Sequence, residues 1–213
     1  MWSQDTLQEL AKYELILGSS SPRRKEILAQ NLGLRAFSVV TSSFEENLSK
    51  HGIAPAEYVT KTAQHKIESI VAQLEDNKKY ILIVADTIVC CDGEIYEKPE
   101  TIDRQLEMLK NYRKAGQVDV MTSVHVCIVD GGHLATHNEK VTKTVLKFNT
   151  QLTDEQLQLY ASTGEGAYVA GGFKYQEKGS MLFIDLSGDY FNVVGLPVYA
   201  TFELVNATLN ENK

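Results

Sequence analysis

"YILIVADTIVCC", residues 80–91, is an almost unbroken run of apolar and β-branched residues interrupted by one acid, Asp86. A run of this kind, without period-two alternation, predicts a strand buried on both faces. Asp92-Gly93 then forms a strong hairpin turn, returning the chain through "EIYEK" at 94–98. Upstream, "YELILG" at 13–18 predicts an earlier strand. Ser21 and Pro22 follow as capping residue and first helical position, with the helix running to about Asn31 and Gly33 just beyond its end.

The same reading extends along the chain. "FSVVTS" at 37–42 predicts a second strand, leading into the loop "SFEEN" at 43–47. Val59, Ala63, Ile67, Ile70, Val71 and Leu74 recur at helical spacing and predict a helix over 55–76. Beyond the hairpin come a short helix at 103–112, a strand at 118–130, a turn at Gly131-Gly132 and a strand at 140–148. Thr153 with Gln156 forms a capping box that opens another helix. A glycine-rich stretch from Gly164 to Gly179 leads to a strand at 180–185 and a closing helix at 195–209. Helices and strands mixed in this order predict an α/β fold with a mixed sheet. No repeat or linker divides residues 1–213, which are expected to form one domain.

The 213 residues are 43% hydrophobic and 23% charged, with a net charge of -7. That balance argues against a nucleic-acid polymer or an anionic membrane as main partner. No apolar run approaches membrane-spanning length, and "MWSQDTLQEL" lacks the features of a signal peptide. Cys90, Cys91 and Cys127 are odd in number without C-x-x-C spacing, so packing in a reducing cytoplasm is the expectation. The five histidines lack zinc-site spacing, and His133 and His137, flanking a hairpin, are expected to face solvent.

Several charges contradict their local settings. Arg23, Arg24 and Lys25 sit at a helix start, where the backbone prefers anions. Asp86 lies inside an apolar strand, where an unpaired carboxylate costs several kcal/mol; it is either a structurally satisfied acid or a functional one. Lys98 returns towards Asp86 and Thr87 across the hairpin, on a face set by the turn length. Lys66 shares the apolar face of its helix, as a snorkelling side chain or a cleft cation. Glu45 and Glu46 could complete an oxygen-rich site for Mg²⁺ with Asp86. Together these groups suit a polyphosphate and its metal. Neither a P-loop nor a G-x-S-x-G elbow is present.

"SSSPRRKEIL", "FEEN", "QHKIES", "VADTIVCCDGEIYEKP", "MTSVHV", "GGFKYQEKGSMLF" and "GDYFNVVGLPV" occur in this order along nearly the whole chain. In that set the chain resembles the Maf-like nucleoside triphosphate pyrophosphatases. The resemblance implies a two-lobed α/β fold with a cleft, related to the inosine triphosphate pyrophosphatases, and commonly a homodimer. It implies hydrolysis of a nucleoside triphosphate to monophosphate and pyrophosphate with Mg²⁺ or Mn²⁺. It makes Asp86 the proton acceptor, Glu46 or its neighbour Glu45 an acid of the metal and water site, and Lys66 and Lys98 the cleft lysines. Whether Asp86 is base, metal ligand or both stays open. Ser21, Arg23 and Arg24 match the phosphate-gripping turn. Arg23, Thr87 and Gln176 match members acting on dTTP and UTP. One region departs from the pattern: Tyr168 stands at a family aspartate and Glu177 at a glycine, so that acid is absent or supplied by Glu165. A nucleotide-binding regulator with little turnover is the alternative this departure raises.

Overall fold

The structure, a computed structural model, describes residues 1–45 and 48–212. Its helices are α1 (Gln4–Leu10), α2 (Pro22–Glu26, continued by a π-turn over Ile27–Asn31), α3 (Pro55–Val71) and α4 (Ile102–Ala115), followed by α5 (Asp154–Ser162), α6 (Tyr190–Val194) and α7 (Val198–Glu211). Its strands are β1 (Glu14–Leu17), β2 (Ser38–Val39), β3 (Lys79–Cys91), β4 (Glu94–Tyr96), β5 (Gln117–Asp130), β6 (His133–Phe148) and β7 (Phe183–Ser187).

The described strands form one mixed sheet in the order β2-β1-β3-β5-β6-β7, with β4 also paired to β3. β1 is parallel to β2 and β3, and the remaining pairings are antiparallel. The apolar run at 80–91 is therefore the spine of the sheet. Its side chains alternate between two covered faces, which explains why no polar residue marks every second position. Tyr80, Leu82 and Val84 pack with Ala63, Ile67 and Ile70 of α3. Ile81, Ile83 and Ala85 pack with Leu204, Val205 and Leu209 of α7 and Ile27 and Leu28 of α2. At the far end, Val89 and Cys91 meet Met108, Leu109 and Tyr112 of α4 and Leu157 of α5.

The hairpin after β3 is a two-residue turn in which Asp92 and Gly93 take φ values of 49° and 82° and Cys91 faces Glu94. That register directs Lys98 towards Thr87, but regular pairing stops at Tyr96. The expected helix at Ser21 is capped by the Ser21 hydroxyl, and Gly33, at φ 71°, follows its end. The capping box at Thr153 and Gln156 is present in full.

Other elements differ from expectation for local reasons. α1 buries none of its residues, so it carries no apolar stripe, and it rests instead on a Ser3 cap. β2 is two residues long because only Ser38 and Val39 pair with the end of β1. α3 stops at Val71, before the polar run "EDNKK" at 75–79 that feeds β3. β6 begins seven residues earlier than Lys140, at His133, because its polar first half is an antiparallel partner of β5 with an exposed outer face.

Candidate active site

One edge of β3 is shared by two strands that do not meet. β1 flanks Tyr80 to Ile83, while β4 flanks Val89 to Cys91. Residues 84–88 have no strand on that edge, and a groove of about 580 Å³ opens there. Divergence of neighbouring strands is where α/β sheets place ligands. Gly18 lets β1 turn away: its N–H donates to Ile83 O at 2.8 Å, and a Cβ there would lie 2.7 Å from Ile70 and Val84 side chains.

Asp86 and Thr87, adjacent in β3, line the groove from opposite faces of the sheet. Asp86 points to the α3 side, where Lys66 Nζ donates to its Oδ1 at 2.6 Å. Both are nearly buried, at 6% and 8% exposure, so each charge depends on the other and on the groove. The structural and functional readings of Asp86 thus converge, since its basic partner is itself a groove residue.

Thr87 lies on the α2 side. Arg24 spreads its guanidinium over three elements, donating from Nε to Gly195 O at 2.8 Å, from Nη1 to Ser19 Oγ at 3.2 Å and from Nη2 to Thr87 Oγ1 at 3.0 Å. Arg23 Nε donates to Val194 O at 3.2 Å. Burial lowers the Arg23 pKa below the ordinary guanidinium value, and the charge of Glu177 opposes that shift. A partly desolvated guanidinium beside a groove is a strong anion partner.

The rim completes the enclosure. Tyr58 donates to Glu97 Oε1 at 3.0 Å, and Lys50 pairs with Glu97 Oε2 at 2.6 Å. Lys98 is exposed and lines the opening, as do Tyr168 and Gln176 on the facing wall. The structure therefore gathers Ser21, Arg23, Arg24, Lys66, Asp86, Thr87, Lys98 and Gln176 around one groove. Glu46 lies outside the described residues, and Glu45 is exposed next to Phe44, which lines the groove.

Glu165 is not among the groove-lining residues. Its carboxylate accepts from Tyr160 Oη at 3.1 Å, Lys178 N at 3.2 Å and Gly179 N at 2.9 Å, clamping the turn before β7. Tyr168 is 74% exposed on the groove wall. Sequence reasoning missed Ser19, Tyr58, Glu97 and the Gly195 carbonyl. A serine among serines and an aromatic residue on a helix core face carry no distinguishing signal.

The groove offers a divalent ion hard oxygen donors, the Asp86 carboxylate with Glu97, Glu100 and several hydroxyls on its walls. That set suits Mg²⁺ or Mn²⁺, which take few protein carboxylates when phosphates supply the rest.

A family model described as "Maf-like protein" matches residues 14–208. The dTTP/UTP pyrophosphatase of Schizosaccharomyces pombe is 36% identical, covering 96% of this chain and 87% of its own. That of Saccharomyces cerevisiae is also 36% identical, covering 94% of this chain and 92% of its own. The solved structure of the Staphylococcus aureus Ham1 protein aligns with 94% of this chain and 100% of that one, at 12% identity and a TM-score of 0.45.

Proposed function

The chain belongs to the Maf-like protein family, and from that premise we propose that it hydrolyses dTTP or UTP to the monophosphate and pyrophosphate. The observation that carries this reading is the convergence of four cations and one buried acid on a single groove.

In the proposed reaction, water attacks the α-phosphorus in line with the bond to the bridging oxygen. The new P–O bond forms as the Pα–O–Pβ bond breaks, and pyrophosphate leaves. Asp86 accepts the proton of the attacking water. Arg23 and Arg24, with the Ser21 turn, hold the phosphate chain, and Lys66 and Lys98 offset charge that builds on the leaving group. Positioning and charge neutralisation of this kind supply most of the catalysis in phosphoryl-type transfer. Asp86, with Glu46, would hold a Mg²⁺ or Mn²⁺ ion, which would supply charge neutralisation to the triphosphate and polarise water. Thr87, Arg23 and Gln176 line the wall assigned to the nucleotide.

Purified protein with Mg²⁺ or Mn²⁺ and a panel of triphosphates tests the proposal. The expected products are monophosphate and pyrophosphate, with dTTP and UTP preferred. In ¹⁸O-labelled water the label is expected in the monophosphate. Release of single phosphate, or label in pyrophosphate, would reject attack at the α-phosphorus.

A second reading, a nucleotide-binding regulator with little turnover, is favoured by Tyr168 at the position of a family aspartate. Tight dTTP binding without pyrophosphate release in the same panel would select it.

We extend the family resemblance to a single catalytic unit over residues 1–213 and to a homodimer, which light scattering tests. Three free, buried cysteines suit a cytoplasmic setting, and among the described residues no helix is long and apolar enough to cross a membrane. Fractionation of the tagged protein tests that placement.

A further inference from the structure

Away from the groove, on the α3 side of the sheet, β5 and β6 bring His125, His137 and Glu139 together. His125 is opposite Glu139 in the antiparallel register, and Cys127 is opposite His137. His125 Nδ1 lies 2.8 Å from His137 Nε2, and Glu139 Oε2 lies 3.2 Å from the first and 3.7 Å from the second. His125 and His137 stand twelve residues apart, which matches no zinc-finger spacing, because they come from neighbouring strands, so only the pairing register reveals them. His133 and His137 are both exposed as expected, and His137 also stacks on the buried His125 ring, with centroids 5.1 Å apart.

With both rings neutral, only one N–H can lie between the facing nitrogens. Glu139 Oε2 accepts from Gln64 at 3.2 Å, and a divalent cation between the three atoms would take a lone pair from each. The triangle, with sides of 2.8, 3.2 and 3.7 Å, brackets the spacing of about 3.3–3.4 Å between ligand atoms of tetrahedral zinc with bonds of about 2.0–2.1 Å, so small side-chain shifts would seat the ion.

We propose that His125, His137 and Glu139 form a binding site for one Zn²⁺-like transition-metal ion, distinct from the hard-ion site of the groove. Imidazole and carboxylate ligands favour such ions over Mg²⁺. A supporting shell is already in place. His125 Nε2 bonds Ser123 Oγ at 2.8 Å, and Ser123 Oγ is 3.3 Å from Thr60 Oγ1 of α3. Gln64, also of α3, donates to Glu139 Oε2 at 3.2 Å. Such partners orient a ligating ring and leave its other nitrogen aimed at the metal. The ion would pin α3 to the β5–β6 hairpin. Ser123, in the same chain of bonds, is the cross-strand neighbour of Asp86.

The test is titration of chelator-treated full-length protein with Co²⁺, read by visible d–d absorption, and with Zn²⁺ in competition. One equivalent is expected to bind with a tetrahedral Co²⁺ spectrum, displaced by Zn²⁺, and Zn²⁺ is expected to raise Tm by mass action. Loss of a direct ligand should cost at least what loss of a supporting group does, so His137→Ala and Glu139→Gln are each expected to weaken binding by about 100-fold. Both residues are exposed, and circular dichroism checks that the variants remain folded. Asp86→Asn should leave the Co²⁺ spectrum unchanged, which separates this site from the groove. Absence of stoichiometric binding, binding indifferent to His137→Ala and Glu139→Gln, or a spectrum lost in Asp86→Asn would each overturn the proposal.

Discussion

Asp86→Asn is expected to slow pyrophosphate release by about 10²–10⁴-fold, the contribution of a positioned general base, with triphosphate affinity retained. Arg23, Arg24 and the Ser21 turn, the groups proposed to hold the phosphate chain, are untouched in this variant, so the loss falls on turnover. The variant has a second signature. Lys66, 8% exposed, loses the carboxylate that now accepts from it at 2.6 Å. Breaking a buried pair from one side costs up to about 3–5 kcal/mol, which groove water reduces. Adding Lys66→Met to Asp86→Asn is therefore expected to recover stability without recovering activity. Thermal unfolding and single-turnover kinetics on the parent protein and the two variants check both halves. Turnover near the parental rate in Asp86→Asn would remove Asp86 from the chemistry.

Arg24→Ala is expected to produce the next largest loss, about 10- to 100-fold in kcat/KM, equivalent to one charged hydrogen bond to the substrate at about 1.5–3 kcal/mol. The side chain ties the turn after β1 to Thr87 of β3 and to Gly195 after α6. Its removal therefore loosens three walls of the groove as well as deleting a charge. Arg24→Lys separates the two effects. It restores the charge but lacks the planar fork that reaches three acceptors at once. Partial recovery is expected from lysine in steady-state kinetics with dTTP. Full recovery would show that charge alone suffices, and no loss in Arg24→Ala would exclude Arg24 from substrate binding.

The parts of this structure that the sequence announces are those with a strong local cause. Residues 80–91 read as a doubly buried strand because every side chain is apolar except at the groove, where Asp86 and Thr87 interrupt. Lys66 and Asp86 stood out because each violates the polarity of its own element, and the violations meet across 2.6 Å. Arg23 and Arg24 stood out as cations at a helix start, and both prove to hold carbonyls of the segment before α7.

What the sequence did not announce depends on pairing across distance. The split of the β3 edge between β1 and β4, which opens the groove, follows from strand order rather than from any residue pattern. His125 and His137 are twelve residues apart and become neighbours only through the β5–β6 register. Glu165, a candidate replacement acid from its position in the chain, is consumed by backbone N–H groups of Lys178 and Gly179. α1 escaped notice because a helix without buried residues leaves no periodic trace.

In the proposed function the triphosphate occupies the opening between β1 and β4 on the edge of β3. Hydrogen–deuterium exchange with and without a non-hydrolysable dTTP analogue and Mg²⁺ addresses it directly. Slower exchange is expected in residues 18–25, 84–88 and 193–196, the three segments that Arg24 joins. Protection confined to other parts of the surface, with these three unchanged, would contradict the account.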